Sequence, residues 1–335
     1  MSDERTVGPG DDRTSGPGIE WTAGPGAALT DTASPAQRRR RLRALLGLPA
    51  ALAEQAATLD RLPPADAQPA EVLLRTAEGE QIPAFLLRPA PEAATGAGVV
   101  LIAGHGRGID DLVRTDPTDE YHDGLAHKLV AAGVTVLCPE MISFGRRRVP
   151  RPAGAAPYQP GESSCTIDAA RHLLRGRPVL GRRVADARAA VTALRQVPGV
   201  EAQRVAVAGG SGGGAVSLLL AAVDTSIAAA LVATYFCTFE ASLCAISHCP
   251  CNIVPGLLPD LEMAGIAALV APRPLLLEAG ERDPIFPIEA TRAAFAQLGP
   301  AWEEQGGAPP ELVVTDGAHA FRAEASLDAL LQRLS

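Results

Sequence analysis

From about residue 70 the chain alternates short aliphatic and β-branched runs with longer segments whose apolar positions recur every three or four residues. That alternation predicts a mostly parallel sheet with helices on both faces. The expected strands are GVVLIAG (98–104), VTVLCPE (134–140), RVAVAG (204–209), SIAAALVAT (226–234), PLLLEAG (274–280) and ELVVT (311–315). Between and after them, DGLAHKLVAAG (123–133), VADARAAVTALRQV (184–197), GGGAVSLLLAAV (212–223), IEATRAAFAQL (288–298) and SLDALLQRL (326–334) have helical spacing. EVLLRTA and QIPAFLLRP, on either side of the turn-like Glu78-Gly79-Glu80, read as an opening antiparallel pair. Two stretches, 143–166 and 235–262, keep neither period. Both follow strands and are candidate pocket walls, the second as a cap-like insertion.

Residues 1–34 contain three copies of x-Gly-Pro-Gly-x-x-x-Thr (VGPGDDRT, SGPGIEWT, AGPGAALT), too polar to bury a core and expected to form a disordered tail. Residues 35–69 are expected to be a helical segment packing on the core. QRRRRLRALLGLP (37–49) would dock through Leu42, Leu45 and Leu46 and is not read as a nucleic-acid patch. The remainder, 70–335, is long enough for one large α/β domain.

A net charge of −8 argues against a polyanion partner. Neither a secretory apolar core nor an apolar run of about 18 residues is found, so the expectation is a cytoplasmic protein without a membrane span. In that compartment the six cysteines would be reduced thiols. Lys128 is the only lysine, so the arginines reflect coding bias as readily as function.

Candidate chemistry centres on RVAVAGGSGGGAVSLLL (204–220), where one serine stands among five glycines. A phosphate loop of the Walker type requires Gly-Lys-[Ser/Thr], and no lysine is present. A dinucleotide loop fits Gly210-Ser211-Gly212-Gly213-Gly214-Ala215 loosely, but the strand that follows offers no carboxylate for a ribose hydroxyl. Gly209-Gly210-Ser211-Gly212-Gly213 fits G-x-S-x-G between strand and helix, the pattern of a nucleophile elbow. There the Gly212 N–H would face an oxyanion at a helix N-terminus.

A serine nucleophile needs a histidine base and an orienting carboxylate, expected in the order Ser, Asp/Glu, His beyond later strands. Asp283 follows PLLLEAG and His319 follows ELVVT. Asp316, Glu281 and Asp260 are weaker candidates for the acid. Gly104-His105-Gly106-Arg107-Gly108 would supply the second oxyanion donor, through the N–H of Arg107 with Gly106 as the alternative.

With these residues in place, GHGRG, PEMISFGRRR, AGGSGGG, IAALVAPRPLLLEAGERDPIFP and DGAHAF make the chain resemble an α/β-hydrolase of the dienelactone hydrolase and acetyl xylan esterase-like group. The resemblance implies the α/β-hydrolase fold and a Ser211-Asp283-His319 esterase that needs no cofactor. Dienelactone hydrolases proper carry a cysteine nucleophile, so serine at 211 moves the expectation toward carboxylesterases acting on a small ester. On the same triad, a thioesterase, lactonase, acyltransferase or cyclase is the alternative. A non-catalytic binding module is a more distant one, as is a dinucleotide-binding oxidoreductase.

His105, Arg146, Tyr235 and Phe236 are candidate pocket residues. An arginine of Phe144-Gly145-Arg146-Arg147-Arg148 would clamp a substrate carboxylate or else be a solvated loop charge. His248-Cys249-Pro250-Cys251, with Cys237 and Cys244 upstream, invites a metal reading. Two ligands one residue apart with no second paired motif weaken it, so no metal is expected. The expected partners are a small ester or thioester and a possible second copy of the chain, with no nucleic acid and no membrane.

Overall fold

The computed structural model describes residues 33–50, 52, 56–114, 121–122 and 124–334; the N-terminal repeat lies outside them. Ser34 starts α1 (Pro35–Leu45) with a capping box to Gln37, and Leu42 and Leu46 are buried as the apolar spacing predicts. Residues 35–69 are not helical throughout. They also supply the edge strand β1 (Ala57–Leu59), which pairs antiparallel with β2 (Ala70–Thr76).

Strand β3 (Gln81–Leu87) returns antiparallel to β2, with Val72 opposite Ala84. The next strands and helices follow in order: β4 (Gly98–Ile102), α2 (Leu125–Ala131), β5 (Thr135–Pro139), α3 (Cys165–Leu173) and α4 (Val179–Leu194). After them come β6 (Val205–Gly210), α5 (Gly212–Val223), β7 (Ala230–Ala233), α6 (Met263–Ala267), β8 (Leu275–Gly280), α7 (Ile288–Phe295), α8 (Gly299–Glu304), β9 (Glu311–Thr315) and α9 (Glu324–Leu334). The sheet order is β1-β2-β3-β5-β4-β6-β7-β8-β9, with every pairing from β5 onward parallel.

Strands β4 to β8 are buried at every position, as strands covered on both faces must be. One core, with Leu125, Leu129, Leu327 and Leu330, lies under α2 and α9; the other, with Leu42, Val184, Val216 and Leu220, lies under α1, α4 and α5. Helices α3, α6 and α8 lie in stretches where the apolar spacing predicts none. No helix among the described residues is long and apolar enough to cross a membrane.

Helix α5 is buried along its whole length, and its last carbonyls are taken up by arginines from elsewhere. Arg39 Nε donates to Ala222 O at 2.9 Å, Arg43 Nε to Val223 O at 3.1 Å and Arg273 Nη2 to Ala221 O at 2.7 Å. The basic run of α1 is therefore a cap for the C-terminus of α5, a position where cations are favoured.

Glu140, at the end of β5, is fully buried and ties together the two loops that flank the first parallel strands. It accepts from Ile109 N and from Arg146 N, each at 3.2 Å. Its carboxylate fills the space that side chains at Gly108 and Gly145 would occupy.

Burial pushes the Glu140 carboxyl up from the ordinary 4.5 to about 7, against the lowering effect of those N–H donors. The native state then keeps a proton that the unfolded chain has already lost, so this group makes stability fall as pH rises from about 4.5 to about 7. Thermal melts of Glu140→Gln across that window are expected to lose this slope. The loss of one loop hydrogen bond should also lower stability by about 1–3 kcal/mol.

Candidate active site

Parallel α/β sheets present ligands at the carboxyl ends of their strands, and three of the expected residues gather there. Ser211 stands between β6 and α5 with φ 51° and ψ −119°, a backbone conformation that non-glycine residues rarely adopt. Its N–H is anchored on Ala233 O at 2.9 Å, and its C=O accepts from Ala215 N at 2.9 Å. The turn is possible because chain segments touch without intervening side chains. A Cβ on Gly213 would overlap the carbonyl of Ile102, and one on Gly209 would meet the Gly213 backbone at 2.5 Å.

Asp283 follows β8 and is buried. One carboxylate oxygen accepts from Ile285 N at 2.8 Å and Phe286 N at 3.1 Å; the other contacts His319 Nδ1 at 2.7 Å. The imidazole is stacked on Phe286 at 5.8 Å and packs against a tilted Tyr121 ring at 5.5 Å between ring centroids. Asp316 and Glu281, the weaker acid candidates, are instead paired with Arg282 and Arg292. Asp260 faces Arg41 at 3.7 Å.

Tyr121 lies beside Ser211, and its hydroxyl contacts Thr234 Oγ1 at 3.1 Å. No hydrogen bond joins Ser211 to His319 in this conformation. Burial raises the Tyr121 phenol far above its ordinary value, so it remains a neutral donor and acceptor.

The GHG loop lies against the elbow. A Cβ at Gly104 would meet Gly210 O at 3.0 Å, and one at Gly212 would meet His105 Nδ1 at 3.1 Å. Arg107 is placed otherwise than the sequence suggests, because its N–H is already donated to Asp111 Oδ2 at 2.7 Å. The same carboxylate occupies the space a side chain on Gly106 would need.

Arg146 is not brought to the site. Glu71 and Asp110 each hold its guanidinium at 2.8 Å in a partly exposed ion-pair cluster, so it is a loop charge at the surface and not a free clamp. Tyr235 is buried with its ring 5.4 Å from Phe286, and Phe236 is also buried, its carbonyl accepting from Thr291 Oγ1.

His105 contacts Cys251 Sγ through Nε2 at 3.1 Å, and its ring packs T-shaped with Phe144 at 5.1 Å between centroids. Cys165 and Cys249 complete a group whose ligand atoms lie within 4.8 Å of one another. The cysteines expected as partners, Cys237 and Cys244, are not in it.

Sequence reasoning passed over Tyr121, Phe286, Glu278 and Cys165. Glu278 alone carried a signal, being a carboxylate within the apolar strand β8. It accepts from Arg322 N at 3.1 Å and Ala323 N at 3.3 Å and receives the Ser326 hydroxyl, so it holds the segment after His319 and the first turn of α9 onto β8.

An elbow between strand and helix, followed by an acid and a histidine beyond successive later strands, defines an α/β-hydrolase fold. The model of the dienelactone hydrolase family matches residues 82–326. The chain therefore belongs to the dienelactone hydrolase family.

Among solved structures it is similar to a glucuronoyl esterase from Solibacter usitatus, at 16% identity and TM-score 0.62 over 89% of this chain and 91% of that one. A glucuronoyl esterase from Caldicellulosiruptor kristjansonii gives 17% and 0.61 over 89% and 83%. Acetyl xylan esterase 1 from Thermoanaerobacterium sp. JW/SL YS485 gives 16% and 0.55 over 90% and 92%. No curated protein matches the sequence.

The glycines around Ser211 are expected to respond differently to the same substitution. Gly213→Ala drives a methyl group into backbone and should cost about 3 kcal/mol or more in denaturant unfolding. Gly212→Ala meets a side chain rather than backbone at close range, the His105 ring at 3.1 Å, and should cost clearly less than Gly213→Ala in the same unfolding experiment.

Proposed function

We propose that the protein hydrolyses a small carboxylic ester through an acyl-enzyme formed on Ser211. The observation that carries this reading is the His319–Asp283 contact of 2.7 Å, buried on its aspartate side, beside a serine held in a strained elbow. Membership of a hydrolase family supports the reaction class, and the esterase names of the structural neighbours support the bond.

In this mechanism the Ser211 oxygen attacks the acyl carbon while His319 Nε2 takes the proton. Asp283, fixed by two backbone N–H groups, holds the Nδ1 proton and stabilises the imidazolium. The Gly212 N–H, first in α5 and so without an intrahelical acceptor, receives the oxyanion. Gly106 supplies the second donor, since the Arg107 N–H is engaged by Asp111. Collapse of the tetrahedral intermediate expels the alcohol with the proton from His319. Water, deprotonated by the same imidazole, then releases the acid and restores the Ser211 hydroxyl.

Burst kinetics on p-nitrophenyl esters from acetate to octanoate, followed by intact mass, test this directly. Wild type should give a stoichiometric burst and an acyl adduct. Ser211→Ala should lose both, with turnover reduced about a millionfold. Asp283→Asn should retain the fold and lose about ten-thousandfold in kcat. Unchanged turnover in Ser211→Ala overturns the nucleophile; acylation without turnover points to transfer rather than hydrolysis.

A further inference from the structure

We propose that His105, Cys165, Cys249 and Cys251 bind a zinc ion that pins the GHG loop to two other segments of the chain. Cys165 begins α3, Cys249 and Cys251 flank Pro250 at a short 3-10 turn, and His105 follows β4. Their one nitrogen and three sulfurs lie within 4.8 Å of one another, with His105 Nε2 and Cys251 Sγ at 3.1 Å. In a tetrahedral zinc site with Zn–S of about 2.3 Å and Zn–N of about 2.0 Å, neighbouring ligand atoms are about 3.5–3.8 Å apart. The four groups are thus already near the spacing zinc requires. The turn at Pro250 explains how residues only two apart serve together: it brings both sulfurs into the same cluster.

A second observation points to negative charge at this place. Arg183 is 1% exposed, yet among the described residues no carboxylate pairs with it. Its Nη2 lies 3.2 Å from Cys165 Sγ, its Nε donates to Ile142 O at 3.3 Å, and its guanidinium covers the Phe144 ring at 4.7 Å. A buried guanidinium stays protonated and calls for an anion nearby. Zinc with three thiolates and a neutral imidazole carries one negative charge, which Arg183 balances.

A disulfide would use two of the three sulfurs and leave the third, the imidazole and the guanidinium without a common purpose; all six cysteines are free thiols. Three sulfurs and one nitrogen select zinc over the oxygen-seeking cations. Four protein ligands close the coordination sphere, so the ion is structural and takes no part in the ester chemistry. The proposal is therefore independent of the function assigned to Ser211. With Nε2 on the metal, the imidazole proton resides on Nδ1, the atom that faces Gly212.

The test uses the full chain, purified under reducing conditions without a histidine tag, with metal measured by inductively coupled plasma mass spectrometry and thiols counted after denaturation. One zinc per chain and six titratable thiols are expected, with a dissociation constant tighter than about 100 nM. Cys165→Ser and Cys251→Ser should lose the metal, whereas Cys244→Ser, an exposed thiol outside the cluster, should keep it.

Should the ligand variants fail to fold, cobalt substitution of wild type decides. Thiolate-to-cobalt charge transfer with intense tetrahedral ligand-field bands supports the site. Folded, fully reduced wild type that binds neither zinc nor cobalt stoichiometrically overturns the proposal. Four titratable thiols and no metal overturn it in favour of a disulfide.

Discussion

The structure depends on one close approach, that of the first turn of α5 to the ends of β4 and β6. Gly213 touches the Ile102 carbonyl and Gly209 touches Gly213, so helix and strand meet at backbone distance. That contact turns the chain sharply enough to force Ser211 out of the common backbone regions. Hydrogen bonds from Ser211 N to Ala233 O and from Ala215 N to Ser211 O hold it there. The surrounding side chains are arranged about this fixed point: His105 over Gly212, Tyr121 beside Ser211, and the His319–Asp283 pair against the Tyr121 ring.

What could be read from the sequence was whatever the chain writes locally. The buried strands announce themselves as continuous apolar runs, and each was found within a few residues of where VTVLCPE, RVAVAG and PLLLEAG place it. The elbow was legible because its steric demand fixes residue type at five neighbouring positions. Asp283 and His319 were candidates because position after a strand is itself a local property. The short helices α3, α6 and α8 were not legible. They are held by tertiary contact, and α6 and α8 have only five and six residues, too few to display a period.

The interactions that were missed or misjudged share another cause: their partners are far apart in the chain. Nothing near Arg146 says that Glu71, 75 residues earlier, claims it; the Arg107 N–H is the exception, turning to Asp111 only four residues on. The CPC motif seemed a poor ligand set because its completing groups, His105 and Cys165, stand 146 and 86 residues from Cys251, where spacing rules do not reach. The arginine run of α1 was visible but its purpose was not, since its acceptors are carbonyls on α5.

Those carbonyls change what α5 is electrically. A helix of 12 residues is about 18 Å long and is ordinarily a dipole, so an anion at a distance feels both ends nearly cancel. With Arg39, Arg43 and Arg273 covering the far end, the negative pole is neutralised within the protein. What remains is a positive pole at Ser211 that its own helix opposes less than an uncapped helix would. Charge at one end of the molecule thus shapes the other: on a chain whose net charge of −8 repels anions, the arginines far from the elbow keep its N–H groups from being offset by their own helix.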